Sequence, residues 1–166
     1  MYSEHNVPKR HFTQSFAVVG AMIEKDHKIL LVQENQGDDK GKWNQPAGWL
    51  DIGEDPIVAV KREIKEETGL DFTPTALMGI YSLAKKYRIK PDGGFAHGVK
   101  LIFRGHVTGS FMEPNDEIGQ LKWFSLEEIE QDAGNLLRDA DIKQEARDYF
   151  ANKSYPLEII HHTVVE

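Results

Sequence analysis

The sequence predicts an α/β domain. Short runs rich in β-branched and aromatic residues alternate with segments of helical periodicity. No repeat and no linker composition interrupts the 166 residues. A chain of that length buries most of its apolar surface in one core, so residues 1–166 are expected to form a single domain. Residues 1–14 are polar and read as a loosely held arm.

FAVVGAMIE (16–24) and KILLVQE (28–34) are β-rich, and the polar Lys25-Asp26-His27 between them predicts a hairpin. NQGDDKGK (35–42) is a loop. WNQPAGWLDIGED (43–55) carries Pro46, Gly48 and Gly53 and is expected to be irregular, with at most one short strand. A helix follows over about 56–68: Asp55 suits its N-cap, Pro56 its first position and Gly69 the position past its end. TALMGIYSLAKKY (75–87) and VKLIFRGHVTG (99–109) read as strands around the loop RIKPDGGFAHG. LKWFS (121–125) is a further strand. Ser125 and Glu128 are placed to form a capping box on LEEIEQ. A last amphipathic helix is expected near 139–152, ahead of YPLEIIHHTVV.

Composition narrows the function. The chain is 40% hydrophobic and 28% charged, as in a globular protein. It has no cysteine, which removes disulfides, thiolate catalysis and thiolate metal sites and suits a reducing cytoplasm. No apolar run nears the roughly 20 residues of a membrane span, and MYSEHNVPKRHF lacks a signal peptide's apolar core. A net charge of -7 disfavours general nucleic-acid binding. An anionic substrate would therefore need locally arranged cations.

The segment Arg62-Glu-Ile-Lys-Glu-Glu-Thr-Gly-Leu70 crowds Glu63, Glu66 and Glu67 onto one helix end. Like charges at i,i+3 and i,i+4 repel by about 0.2–0.5 kcal/mol per pair. At about 100° per residue, Ile57, Val60 and Ile64 form an apolar stripe. Glu67 then lies roughly 20° from Val60, and Glu63 roughly 40° beyond Glu67. Two acids thus border the packing face, where like charges are costly without a compensating cation. From the helix alone, a solvated acidic face and a divalent-cation site both stay open.

Upstream residues complete a longer pattern. Gly48 is followed by five residues and Glu54, then by seven residues and REIKEETGL. This resembles the Nudix box of the Nudix hydrolases at every fixed position over 23 residues. The likeness extends over roughly residues 16–130, through the opening strands, WNQPAG and the later WF-containing strand. It implies a Nudix-type three-layer α/β/α sandwich around a mixed sheet. It also implies hydrolysis of a diphosphate linkage by water attack on phosphorus, with Mg2+ or Mn2+, ions that suit carboxylate oxygens.

The same resemblance implies roles. Glu63 and Glu67 would be the main metal ligands, with Glu66 a further one and the Gly48 carbonyl a backbone ligand. Arg62 would orient a carboxylate, and Glu54 would tie the loop to the helix. The general base is either a box Glu, such as Glu66, or a later acid. Glu117 in MEPNDEIGQLKWF stands where such an acid is supplied, with Glu113 and Asp116 as rivals and a solvated turn as the alternative.

Lys85, Lys86 and Arg88, with Tyr87 between and Lys90 beyond, make the densest basic patch and are candidates for substrate phosphates; Lys against edge pairing is the other reading. Trp43, Tyr87 and Phe95 are candidate ring-stacking residues, against a core role. His161-His162 has no third ligand nearby, and no serine has a nucleophile motif around it. WNQPAG and YPLEII are similar to short bacterial Nudix phosphatases of nucleotides and thiamine-type pyrophosphates. The expected substrate is a nucleoside diphosphate derivative or another organic pyrophosphate, with ADP-ribose, nucleotide sugars and dinucleoside polyphosphates open. A homodimer is compatible with the family. The alternative function is a catalytically silent Nudix-fold binding or regulatory module, which loss of a box carboxylate would favour; none is lost.

Overall fold

The computed structural model describes residues 15–89, 95–132 and 134–165, apart from the side chains of residues 86–89, 95 and 96. The N-terminal arm, Lys90 and the side chains of Lys86, Tyr87, Arg88 and Phe95 lie outside the described residues. The strands are β1 (Ser15–Met22), β2 (Glu24–Lys25), β3 (Lys28–Glu34), β4 (Trp43–Asn44), β5 (Ala47–Trp49), β6 (Asp71–Ile89), β7 (Phe95–Thr108) and β8 (Ile118–Ser125). The α-helices are α1 (Pro56–Thr68), α2 (Leu126–Glu130) and α3 (Asp141–Phe150).

The strands form two four-stranded sheets. One is mixed, in the order β5-β1-β7-β6, with β1 parallel to β7. The other is antiparallel and places β3 between β4 and β8. Of the hairpin expected between residues 16–24 and 28–34, only the tip forms, with Glu24 opposite Ile29 and Lys25 opposite Lys28. β1 itself does not pair with β3. Residues Val19 to Met22 are buried in sequence, so β1 is a central strand, and it takes β7 and β5 as partners. The turn signal at residues 25–27 instead closes the small ribbon β2–β3, where Asp26 and His27 adopt φ of 51° and 60°. Residues 43–55 contain two short strands rather than one. β6 and β7 run longer than their apolar cores, since their mutual ladder carries polar residues with it.

Alternation along the strands builds two cores. Val19, Ala21, Leu30, Leu77 and Phe103 pack with Val60 and Ile64 of α1. Met22, Ile29, Leu31, Met78 and Ile102 pack on the opposite side with Ile129 of α2 and Ile142 of α3. Helices therefore cover both faces of the strands, and the architecture is the α/β/α sandwich. Among the described residues, no helix is long and apolar enough to cross a membrane.

The helix signals act as the local chemistry requires. The Ile57 and Val58 amides donate to Asp55 Oδ1 at 2.7 and 3.4 Å, and Gly69 ends α1 with φ 79°. Ser125 and Glu128 form the reciprocal capping box of α2. α3 is shorter than its periodicity suggests. Asp139 is drawn to Lys85 instead, and Asn152 turns left-handed at φ 57°. Beyond α3, Tyr155 exchanges both backbone hydrogen bonds with Leu77 of β6, at 2.8 and 2.9 Å. Leu157 and Ile160 then reach the core on the α1 side.

Under α3 lies a buried ionic group. Lys100 Nζ is 2.6 Å from Glu145 Oε1 and 2.9 Å from Asp141 Oδ2. Glu145 is fully buried, its Oε2 has no hydrogen-bond partner among the described residues, and burial pushes its carboxyl up to about 7 against the pull of Lys100. A carboxyl raised from 4.5 leaves the folded state holding more proton than the unfolded state between those values. Its contribution to stability is therefore full below 4.5 and is lost as pH rises through about 7. Wild-type thermal stability should decline over that window, and Glu145→Gln should flatten the decline; melting curves at half-unit pH steps read the difference.

Candidate active site

The last two turns of α1 lie against β5, the edge strand of the mixed sheet. Glu63 is only 8% exposed because its carboxylate fills the space a side chain at position 48 would need. A Cβ built on Gly48 would lie 2.0 Å from Glu63 Oε2. One residue earlier, the Ala47 amide donates to Glu67 Oε2 at 2.8 Å. Two carboxylates one helical turn apart are thus delivered to adjacent backbone positions of one strand. Glu66 is exposed on the outer side.

Arg62 holds this arrangement together. Its Nε and Nη2 donate to the two carboxylate oxygens of Glu54 at 2.9 and 2.8 Å, the fork-on-fork geometry only a guanidinium provides. Nη1 donates to Glu63 Oε1 at 2.6 Å and to Glu66 Oε2 at 3.2 Å. Nη2 also donates to the Trp49 carbonyl at 3.1 Å. Glu54 in turn accepts from the Asp51 amide at 3.3 Å. One cation therefore ties the loop, β5 and two acids of α1.

The electrostatics record the crowding. Burial raises the Glu63 carboxyl above its ordinary value, opposed by the hydrogen bond from Arg62. Glu67 is raised well above its ordinary value, first by burial, with the Ala47 amide opposing and the charges of Glu34 and Glu63 adding to the rise. Arg62, by contrast, pulls Glu54 below the usual carboxylate range.

Glu34, at the end of β3, is a further acid of this region. Arg138 Nη1 donates to Glu34 Oε1 at 2.7 Å, and Arg138 Nε donates to Asp39 Oδ2 at 2.9 Å. Sequence reasoning did not single out either residue. They are 104 positions apart, and no local spacing marks the contact. Trp49, next to Gly48 at the end of β5, is 56% exposed.

The remaining candidates fall as follows. Glu117 is exposed on the loop before β8; its carbonyl accepts from the Asn35 amide at 2.8 Å, beside the end of β3 that carries Glu34. Glu113 and Asp116 are exposed on the same loop. Lys85 does not stand free for a phosphate: its Nζ is 2.7 Å from Asp139, and both side chains are largely buried. Trp43 is a core residue, edge-on to Phe124 at 4.9 Å, because β4 turns it inward. His161 and His162 are exposed on the C-terminal segment.

Among the described residues, no three His, Asp or Glu side chains converge as a closed cation cage. Glu63 and Glu66 are turned to Arg62, and Glu67 to the Ala47 amide. The donor set nevertheless fits a hard divalent cation. The Glu63 carboxylate lies against Gly48, and Glu67 is held at the neighbouring Ala47 amide. Glu66, one helix position before Glu67, shares Arg62 with Glu63, and burial raises the carboxyls of Glu63 and Glu67.

A NUDIX domain model matches residues 13–146. The chain is 32% identical over 134 residues to an ADP-ribose pyrophosphatase of Methanocaldococcus jannaschii, covering 77% of this chain and 76% of that one. It is 33% identical over 144 residues to the phosphatase NudJ of Escherichia coli, covering 86% and 88%. A NUDIX hydrolase structure from Nitrosomonas europaea superposes with a TM-score of 0.78 at 35% identity, covering 90% of this chain and 98% of that one.

Gly48→Ala should leave the far-ultraviolet circular dichroism unchanged while displacing the Glu63 carboxylate. Mn2+ affinity, followed by electron paramagnetic resonance of the free ion, should fall about tenfold or more.

Proposed function

The chain belongs to the Nudix family, and from that premise we propose that Glu63, Glu66 and Glu67 hold the divalent cation with which it hydrolyses a diphosphate linkage. The reading rests on one observation above the others. Glu63 and Glu67 meet adjacent backbone positions of β5, while Arg62 spans Glu63 and Glu66. Mg2+ or Mn2+ is the ion proposed, and when bound it neutralises charge on the diphosphate and acidifies the attacking water.

The protein's own groups do the rest. Gly48 leaves room for the Glu63 carboxylate, and its carbonyl is proposed as a further oxygen ligand. Arg62, fixed by Glu54, holds Glu63 and Glu66 in place. The proton released as water attacks phosphorus goes to a carboxylate, either Glu66 of the box or Glu117 from the loop beside β3. The leaving phosphate departs from the opposite side of phosphorus. An ADP-ribose pyrophosphatase and a phosphatase among the relatives support a nucleoside diphosphate derivative or similar organic pyrophosphate as substrate. The absence of cysteine fits action in the cytoplasm.

Glu67→Gln keeps the shape and the bond from Ala47 but removes a charge. It should lower kcat by about a hundredfold or more with the fold intact. Glu117→Gln should fall as far only if Glu117 takes the proton; turnover within about threefold of wild type returns that role to Glu66. Millimolar Mg2+ should raise the melting temperature of wild type and lose that effect in Glu67→Gln. Unchanged melting in both, together with equal hydrolysis in EDTA, would sink the assignment.

A further inference from the structure

A diphosphate bound at the box must approach several carboxylates, so the cations of the region decide how it is held. Arg62 has no donor to offer. Its Nε, Nη1 and Nη2 together make five hydrogen bonds, to Glu54, Glu63, Glu66 and the Trp49 carbonyl, as many as a guanidinium has N–H donors. Lys85 is spent on Asp139, and Lys100 on Asp141 and Glu145 under α3. Arg138 differs. Its Nε donates to Asp39 and its Nη1 to Glu34, while Nη2 makes no hydrogen bond to any described residue. The side chain is 29% exposed.

Backbone pairing turns Arg138 toward the box. Residues 136–138 lie beside β4: the Trp43 amide donates to the Leu136 carbonyl at 2.9 Å, and the Arg138 amide to the Trp43 carbonyl at 2.8 Å. Trp43 and Leu137 both pack in the core beneath α2 and α3. Alternation then sends Asn44 and Arg138 to the opposite side, which is the side of α1. Their contacts agree. Asn44 Nδ2 and Arg138 Nη1 both donate to Glu34 Oε1, at 3.5 and 2.7 Å. Three residues after Asn44 comes Ala47, whose amide holds Glu67. The charges of Glu34 and Arg138 both reach the Glu67 carboxyl, the first raising it and the second opposing the rise.

Anchors at Nε and Nη1 fix the plane of the guanidinium before any ligand arrives, so a further bond at Nη2 costs little side-chain entropy. A planar donor of that kind suits phosphate oxygens. We infer that Arg138 is a substrate-binding residue, its Nη2 donating to an oxygen of the diphosphate held at the box. Glu34 and Asp39 orient it, and Asn44 steadies Glu34. This rests on the proposed function, since it takes the diphosphate to be bound through the cation at Glu63 and Glu67.

The probe is methylenediphosphonate, a diphosphate analogue that water does not cleave, titrated by calorimetry with Mg2+ present. Arg138→Gln should weaken its binding about tenfold or more. Arg138→Lys keeps the charge without the fork and should fall between that variant and wild type. Arg138→Gln also leaves Glu34 without its cation, and the double substitution Glu34→Gln/Arg138→Gln separates the two effects. Binding stays weak in the double variant if Arg138 touches the probe. Recovery to within about twofold of wild type overturns the inference and leaves Arg138 as a neutraliser of Glu34. Glu67→Gln distinguishes the two readings. Binding lost in Glu67→Gln yet within about twofold of wild type in Arg138→Gln sinks the role of Arg138 and leaves the cation site standing. Wild type that binds no probe overturns both. Should Arg138→Gln not fold, wild type carries the test. Its Arg138 side-chain 15N signals, identified by their loss in Arg138→Lys, should shift when the probe is added, and unmoved signals overturn the inference.

Discussion

Everything at the site depends on how three carboxylates are kept within one turn and a half of a helix. Repulsion among them opposes folding, and the structure offsets it with geometry rather than dilution. Glu63 is held in a space that exists only because position 48 has no side chain, and Glu67 is held by a backbone amide of the same strand. Arg62 supplies a positive charge placed between Glu63 and Glu66, and Glu54 fixes its orientation. The buried acids that result carry raised carboxyls, which is the electrostatic cost of holding them there.

The sandwich explains why β5 is the strand that receives them. As an edge strand it pairs with β1 on one side only, so its other side leaves an amide for Glu67. α1 can lie close because Val60 and Ile64 bury into the core against β1 and β6. The acids border that buried stripe, so packing energy presses the charges onto the strand. A helix with its acids opposite the stripe would leave them in water.

Local signals made much of this legible. Asp55, Pro56 and Gly69 set the bounds of α1 at Pro56–Thr68, and the capping box of Ser125 and Glu128 is present. The fixed spacing from Gly48 to Leu70 was readable because a helix and its preceding loop carry their chemistry in consecutive residues. What escaped were contacts set by tertiary structure. Arg138 with Glu34, and Lys85 with Asp139, join residues far apart in the chain, and nothing in their neighbours announces them. The hairpin expected between residues 16 and 34 formed only at its tip for a related reason. A turn signal specifies a reversal, whereas the partner of a buried strand is chosen by the whole sheet. Trp43 and Trp49 show the same limit at single-residue scale, since two indoles six positions apart take opposite environments.

The bridge from Tyr155 to Leu77 bears on the order in which the protein is made. β6 is an edge of the mixed sheet, and the strap that covers part of it comes from beyond α3. Leu157 and Ile160 pack against a core whose buried members lie between Val19 and Phe103. On the ribosome, those earlier residues emerge while the strap is still unmade or inside the exit tunnel. Until it is released, the nascent sheet presents Leu77 with unpaired backbone groups and a core with two apolar side chains missing. The carboxylate cluster, by contrast, is already fully synthesised at that stage.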